Sequence, residues 1–212
     1  MKEHIRESKM FYSIFDGVIF RNAKSEEKTE QRTITKKDGT LYTKEGVFIQ
    51  SLEGKITNIK FRNQEFSDGS VLFLEIEIDN EGVLSINWES RYAKNIAGRL
   101  MNEIDFTKPI IIAPYNFVTD GKRNTGMMLK QGDVKFGSYY RDLVNKKNIN
   151  GLESLDKFIT EKMDGEDWKV YFIKAGKFLK EQIKDKLIPK FENQQTPAET
   201  TVEDLPEDDL PF

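Results

Sequence analysis

The sequence predicts a mainly β protein with helices, of the α+β class, and three patterns along the chain support this prediction. Short alternating segments separated by turn residues occupy most of residues 10 to 88. An amphipathic helical pattern follows at about residues 90 to 104, and a second one covers roughly residues 170 to 187. Strand patterns occupy more of the chain than helical patterns, so β-structure dominates the predicted class.

The N-terminal part predicts a strand followed by a hairpin. Residues 10 to 21 are rich in β-branched and aromatic side chains and predict one strand, in which Gly17 would form a bulge. A polar loop from Asn22 to Gln31 follows. Alternation from Arg32 to Phe48 around an Asp-Gly pair predicts the hairpin.

A three-stranded meander and a helix come next. Strands are predicted at Leu52 to Phe66, Val71 to Ile78 and Val83 to Trp88, with turn residues between them. Ser90 is suited to cap a helix whose apolar positions recur until the chain leaves it near Asp105. One helix is therefore expected directly after three strands.

Two further strands complete an order that is typical of one small barrel. Lys108 to Tyr115 and Gly126 to Gln131 predict strands, and Asn116 to Thr125 between them predicts a polar loop. The order β-β-β-α-β-β is that of the OB-fold, a five-stranded Greek-key barrel that binds oligonucleotides on the face of its second and third strands and through its loops. An oligonucleotide-binding barrel is thus expected.

The chain beyond this barrel predicts an edge strand and two helices. Val134 to Tyr140 is suited to an edge strand or an extended arm, and Ser154 to Met163 is suited to the first helix. The second helix covers roughly Val170 to Leu187 and should end at Pro189. Its predicted apolar face consists of Phe172, Gly176, Leu179, Ile183 and Leu187. These helices could pack on the barrel, or they could form a homo-oligomer.

The C-terminal segment is acidic, carries two prolines and ends in an apolar tip, so it should stay extended and solvated. Its ending EDDLPF resembles the acidic tip of bacterial and phage single-stranded DNA-binding proteins. The resemblance covers six residues and implies that the tail recruits replication or repair proteins, such as a polymerase, helicase, primase or nuclease, while a separate domain holds DNA. The alternative is a solubilising tail. The partner-binding residues that the resemblance implies are Asp208, Asp209, Leu210, Pro211 and Phe212.

These patterns divide the chain into four parts. Residues 1–50 form a strand and hairpin packed on the barrel, and residues 51–140 form the barrel itself. Residues 141–191 form a helical extension, and residues 192–212 form a disordered linker with the acidic tip.

Charge is distributed unevenly between the body and the tail. The chain carries a net charge of −3, but residues 194–212 contain six acidic residues and no basic one, so residues 1–193 carry +3. Because residues 1–193 are only mildly basic, binding of a nucleic acid would depend on where the cations lie and on aromatic stacking as much as on overall charge. No cysteine is present, and no apolar run of about 18 residues occurs. A soluble cytoplasmic protein is expected, in the host cytoplasm if a phage encodes it.

Binding of single strands requires cations that follow the phosphates and aromatic rings that stack on bases. Lys122 and Arg123 are the strongest candidates because a flexible basic loop is expected there. Phe61, Trp88 and Tyr92 also fit apolar core positions, and this alternative is favoured for Trp88 and Tyr92. The candidate DNA-binding residues are Lys55, Lys60, Phe61, Arg62, Trp88, Arg91, Tyr92, Tyr115, Phe117, Lys122, Arg123 and Lys130.

The predicted function is binding and protection of single-stranded DNA without strong sequence preference, during replication, recombination or repair. One alternative is a mediator of strand annealing or recombination. Another is a metal-dependent nuclease, because Glu75, Glu77 and Asp79 alternate on one strand. The only histidine is His4 and no phosphate-binding loop motif occurs. No catalysis, metal or cofactor is therefore expected.

Overall fold

The computed structural model describes residues 9–35, 39–67, 69–142, 144–145, 147–156 and 165–192. The described chain is mainly β with helices, which confirms the predicted class. The strands are β1 Met10–Phe15, β2 Val18–Arg21, β3 Glu30–Thr35, β4 Leu41–Ile49, β5 Leu52–Gly54, β6 Ile56–Phe66, β7 Gly69–Ile78, β8 Gly82–Asn87, β9 Ile110–Thr119, β10 Lys122–Gln131, β11 Val134–Phe136, β12 Arg141–Asp142 and β13 Lys147–Asn148.

Two sheets make up most of the protein. A seven-stranded sheet has the order β3-β4-β2-β1-β8-β7-β6, and a four-stranded sheet has the order β11-β10-β9-β5. In the seven-stranded sheet β1 runs parallel to β8, while its other neighbouring strands are antiparallel. A separate pair joins β12 to β13.

The predicted strand from Leu52 to Phe66 bends at Lys55 and enters both sheets. Its first part, β5, pairs with β9, and its second part, β6, pairs with β7. The bend is fixed by Asp79, whose Oδ1 accepts the Lys55 N–H at 2.8 Å and whose N–H donates to the Lys55 carbonyl at 2.9 Å. One strand therefore connects two sheets.

The described strands do not close into the predicted barrel. The expected order of three strands, a helix and two strands is present from β5 to β10. However, β1 pairs with the outer edge of β8, and β11 pairs with the outer edge of β10. Because both edges already have partners, they cannot pair with each other, and the prediction of a closed five-stranded barrel is wrong.

Residues 10 to 21 form two strands, so the prediction of one bulged strand is wrong. Asp16 and Gly17 have φ angles of 47° and 83° and form a tight turn between β1 and β2. A two-residue hairpin turn with positive φ at both positions is most often formed by pairs such as Asp-Gly. A Cβ on Gly17 would lie 2.6 Å from the Asn116 backbone nitrogen, so glycine is also required by close approach. The predicted hairpin at Arg32 to Phe48 is confirmed by β3 and β4, and residues 36–38 of its turn lie outside the described ranges.

The segment predicted as a polar loop, Asn116 to Thr125, is instead the end of a long hairpin. Here β9 and β10 stay paired from Ile111 and Lys130 out to Thr119 and Lys122, and Asp120 and Gly121 form the turn with φ angles of 51° and 71°. Polar residues can remain in strands because the backbone hydrogen bonds of the ladder do not depend on side-chain polarity. We call β9, β10 and this turn the β9–β10 hairpin.

Two helical regions accompany the sheets. Helix α1, Arg91–Leu100, is capped as predicted, since the Ser90 hydroxyl accepts from the Ala93 N–H at 3.2 Å, although it ends before Asp105. The 3₁₀ turn Glu153–Leu155 falls within the helix predicted from Ser154, whose residues 157–163 are outside the described ranges. The C-terminal helices are α2 Gly165–Gln182, a π turn Ile183–Leu187, and α3 Ile188–Glu192.

Pro189 lies in the first turn of α3, so the prediction that the helix ends there is wrong. Helix α3 continues from the π turn without a break, since the Ile188 N–H donates to the Ile183 carbonyl, and such a local change in the hydrogen-bond pattern is one way in which a helix accommodates a proline.

The buried face of α2 includes Tyr171, Ala175 and Leu179, whereas Phe172 is 41% exposed. Gly176, Ile183 and Leu187 are buried as well, so the predicted apolar face is confirmed except at Phe172.

One hydrophobic core joins the strands and the helices. Ile59 and Leu74 from the seven-stranded sheet are buried in the same cluster as Leu129, Ile183 and Phe191. The described part of the helical extension therefore packs on the sheets. Within the described ranges, no helix is both long enough and apolar enough to cross a membrane.

Candidate nucleic-acid interface

The four-stranded sheet has one face in the core and one face toward solvent. Ile112, Met127 and Leu129 lie on the core side and are fully buried. The opposite side of the sheet is called the front face. Its residues are identified from the strand register, because directly paired residues point to the same side of a sheet. Its members include Ala113, Tyr115, Phe117, Lys122, Asn124, Gly126, Met128, Lys130 and Lys135.

An aromatic groove of about 430 Å³ runs along the front face. Its two rings, Tyr115 and Phe117, lie on alternate positions of β9 with centroids 5.7 Å apart and planes at 37°. Phe117 is 52% exposed, which is unusual for a side chain of this size. The groove is lined by Arg99, Ala113, Pro114, Tyr115, Phe117, Asn124, Met128 and Lys135.

Gly126 positions the tyrosine of this groove. It pairs directly with Tyr115, and the phenol ring lies where a Cβ on residue 126 would project. A side chain at this position would displace the ring. Glycine in the interior of β10 is therefore explained by the close approach of an aromatic side chain.

Arg99 brings a cation from α1 to the groove. Its Nε donates to the Asn95 Oδ1 at 3.0 Å, and its Nη1 donates to the Phe136 carbonyl. Asn95 Oδ1 also accepts the Met127 N–H at 2.9 Å, which satisfies a backbone donor of β10. The arginine is thus held between the helix and β11. The sequence contains no signal for this role, because helical periodicity does not show which strand α1 contacts.

Lysines add positive charge along the front face. Lys130 and Lys135 are paired across β10 and β11, and Lys122 lies at the outer end of the β9–β10 hairpin. The Lys130 Nζ lies 3.8 Å from an Asp133 carboxylate oxygen, while the Lys135 side chain is exposed beside the groove. Cations of two strands, β10 and β11, and of helix α1 therefore lie on or beside the front face.

Arg123 follows Lys122 on β10, so its side chain points to the other face of the hairpin, which we call the back. It interacts electrostatically with Tyr92, which lies beside the Asp16–Gly17 turn. Burial and then the Asp16 charge raise the pKa of Tyr92 to about 12, so its phenol stays protonated at neutral pH. Arg91, the residue before Tyr92, is exposed.

Lys60 and Arg62 lie on a different surface, the outer side of β6 and β7, where they pair with two buried glutamates. The Lys60 Nζ is 2.9 Å from Glu77 Oε1, and the Arg62 Nε is 2.5 Å from Glu75 Oε1. Glu75 and Glu77 are 3% and 6% exposed. These two cations thus neutralise buried carboxylates.

The carboxylates that the nuclease alternative would use to bind a metal ion have other partners in the structure. Glu75 and Glu77 are each hydrogen-bonded to a cation, and Asp79 accepts the backbone N–H of Lys55. Within the part of the chain that the structure describes, no three histidine, aspartate or glutamate side chains are grouped so that they could hold a metal ion.

Phe61 and Trp88 pack against each other inside the protein. Their ring centroids are 5.0 Å apart with planes at 86°, and Trp88 is 4% exposed. Trp88 therefore presents no face to a base, whereas Phe61 is half-buried. Trp88 lies in the core, as the alternative favoured from the sequence predicted.

The structure brings together four of the predicted residues, Tyr115, Phe117, Lys122 and Lys130, on the front face. Asp208 to Phe212 lie outside the described ranges.

The chain matches no known protein family, no curated protein and no solved structure.

Proposed function

We propose that the protein binds single-stranded DNA without strong sequence preference and has no catalytic activity of its own. The observation that carries this proposal is the pair of half-buried Tyr115 and exposed Phe117 in a groove bordered by Arg99 and Lys135. Every base has a π-face, so stacking on these rings tolerates any sequence, while cations attract the phosphates.

The geometry of the groove supports a preference for single strands. Two rings 5.7 Å apart can accept bases whose faces are free. In a duplex, each base face is already stacked on its neighbours, so binding here would require unpairing at a cost of a few kcal/mol per base. Unpaired DNA avoids that cost.

The position of the β9–β10 hairpin in the strand order also supports the proposal. It connects the last two strands of the order β-β-β-α-β-β, and in the OB-fold the equivalent connection contacts oligonucleotides. The open sheets of this protein keep that connection, extended here into a paired hairpin with Phe117 and Lys122 near its tip.

A second part of the proposal concerns the acidic segment 199–212. We propose that its Asp208 to Phe212 tip recruits proteins of replication or repair, as the resemblance implies, and that its six carboxylates compete with DNA for the basic groove. Deleting residues 203–212 is expected to tighten DNA binding at low salt and to abolish capture of those partners. Unchanged affinity would remove the competition, and unchanged capture would remove the recruitment.

The main test is a salt-dependent titration with labelled single- and double-stranded oligonucleotides. We expect preference for the single strand, and we expect Phe117→Ala and Tyr115→Ala to weaken binding by about 5- to 150-fold each, which corresponds to roughly 1–3 kcal/mol per stacked base. Ile173→Ala, at an apolar position that is 70% exposed on α2, is the matched control. Equal affinity for the duplex, or no loss in the two aromatic variants, would overturn the proposal.

A further inference from the structure

A second group of cations and aromatic rings lies on the N-terminal strands. Arg32 on β3 and Lys44 on β4 are directly opposite each other in the ladder, so their side chains share one face. Phe20 on β2 and Phe48 on β4 are also directly paired and lie on that same face. We call these four residues the arm surface.

Each cation of the arm surface lies over a ring. The Arg32 guanidinium carbon is 4.7 Å from the Phe48 centroid, and the Lys44 Nζ is 4.3 Å from the Phe20 centroid and 5.6 Å from that of Phe15. Cation–π contact fixes the positions of the charges without neutralising them. The rings themselves are largely covered, which suits this surface to phosphates more than to bases.

The charges of the arm surface are poorly compensated. A Glu30 carboxylate oxygen lies 3.5 Å from Arg32, whereas no carboxylate of the described residues forms an ion pair with Lys44. Two like charges directly opposite in a ladder destabilise the sheet. Partial burial also lowers the pKa of Lys44. An anion bound between the two side chains would relieve this repulsion.

The arm surface is adjacent to the β9–β10 hairpin. Phe15, under Lys44, is followed by Asp16, whose carboxylate accepts a hydrogen bond from the Asn116 amide on β9. Arg123, on the back of the hairpin, interacts with Tyr92 beside the same turn. The Asp16–Gly17 turn therefore connects the back of the hairpin, where Arg123 lies, to the end of β1 that lies under Lys44.

We propose that the arm surface is a second contact for the same DNA strand, in which Arg32 and Lys44 bind successive phosphates outside the aromatic groove. This inference rests on the proposed function, since it assigns the strand a path beyond the groove. The groove then determines affinity for short oligonucleotides, and the arm surface adds affinity once the strand is long enough to reach it.

The test compares the Arg32→Gln/Lys44→Gln double variant with unmodified protein on oligothymidylates of about 5 and about 25 nucleotides. On the long strand we expect weaker binding and a slope of log affinity against log salt that is smaller by about 1.4, or about 0.7 per lost phosphate contact. On the short strand we expect no change. Lys44→Arg, which keeps the charge, should retain the slope.

The control double variant, Lys108→Gln/Lys169→Gln, removes two exposed lysines that pair with Asp105 and Glu166 along the chain. It should leave the slope on the long strand unchanged. The inference is overturned if the arm variant keeps the wild-type slope on the long strand, or if it loses affinity equally on both lengths. Absence of any single-strand binding by the unmodified protein would instead overturn the proposed function.

Discussion

Glu77 shows how a charge can be stable inside this protein. One carboxylate oxygen accepts from Lys9 at 2.5 Å and the other from Lys60 at 2.9 Å. Burial by itself raises the pKa of Glu77, but the hydrogen bonds and charges of the two lysines outweigh burial and hold the pKa below its usual value. The carboxylate therefore stays ionised in the folded state.

This pairing predicts a pH-dependent stability. Because the folded-state pKa of Glu77 is lowered, its contribution is complete above the unfolded-state pKa of about 4.3 and is lost as the pH falls through the lower folded-state pKa. At pH 7, Glu77→Gln should lower the free energy of unfolding by roughly 1.5–3 kcal/mol. The difference from wild type should shrink below about pH 4, where wild-type Glu77 also becomes neutral.

Urea unfolding followed by circular dichroism over this pH range measures the effect. Glu65→Gln, at an exposed position on β6, is the control and should change stability little at any pH. A Glu77→Gln difference that is constant with pH would contradict the assigned role of the ion pairs.

At the scale of elements, the β9–β10 hairpin is a paired extension of the four-stranded sheet. Phe117 and Val118 near its tip are 52% and 64% exposed. Apolar side chains in such positions add little to folding, because they remain in water. For Phe117, on the front face, this exposure is accounted for by the proposed contact with bases.

A shortened hairpin tests this separation of binding from folding. Removing Phe117–Thr119 and Lys122–Asn124 joins Asn116 to Thr125 through the Asp120–Gly121 turn, and these two residues are already cross-strand partners. We expect affinity for single-stranded DNA to fall at least about 10-fold, from loss of the Phe117 ring and of two cations, Lys122 and Arg123. The melting temperature should change by only a few degrees, since the removed side chains are mostly exposed.

Fluorescence anisotropy and thermal melting measure the two effects on the same sample. Gly121→Ala keeps every side chain of the groove but strains a turn with φ of 71°. It should therefore cost stability while retaining binding. Unchanged affinity in the shortened protein would show that the hairpin tip does not contact DNA.

At the scale of the whole molecule, the C-terminal helices complete the core. Phe191 on α3 is 1% exposed, and its ring lies 5.0 Å from that of Phe106 with planes at 68°. Leu187 and Ile183 in the preceding π turn are also buried. The sheets would lose this cover if the helices detached, so strands and helices should unfold together.

Phe191→Ala tests this cooperativity. Removing the ring leaves a cavity in the core and should lower the free energy of unfolding by about 3–5 kcal/mol. In urea, the midpoint should fall while the slope of the transition stays the same, because the same surface is exposed on unfolding. Ile173→Ala, at a position 70% exposed on α2, is the control and should have little effect. A first transition confined to the helices would contradict the shared core.

Local patterns in the sequence predicted those features that depend on neighbouring residues. Alternation located the strands that became β6, β7 and β8, and Ser90 located the start of α1. The two Asp-Gly turns at residues 16 and 120 were missed because polar composition was interpreted as a loop and a single glycine as a bulge. Both carried the dipeptide that is typical of tight hairpins.

The candidate site was predicted in part. Tyr115, Phe117 and Lys122 could be chosen because aromatic and basic residues, which are suited to single strands, occur together at and in the segment predicted as a loop. Arg99 could not be chosen, since its place depends on how α1 packs against β11. For Lys60, the sequence did not show that it pairs with buried carboxylates, because a cross-strand neighbour is set by register.

The sequence by itself determined the mainly β class, the order of three strands, a helix and two strands, and the acidic character of the C-terminal segment. These follow from periodicity, capping and composition, which act over a few residues. Only the tertiary structure decided that β1 and β11 take the edges a closed barrel would need, and that aromatic and cationic side chains meet on one face. Edge pairing and the sharing of a face depend on contacts between distant segments, and such contacts leave no local pattern in the chain.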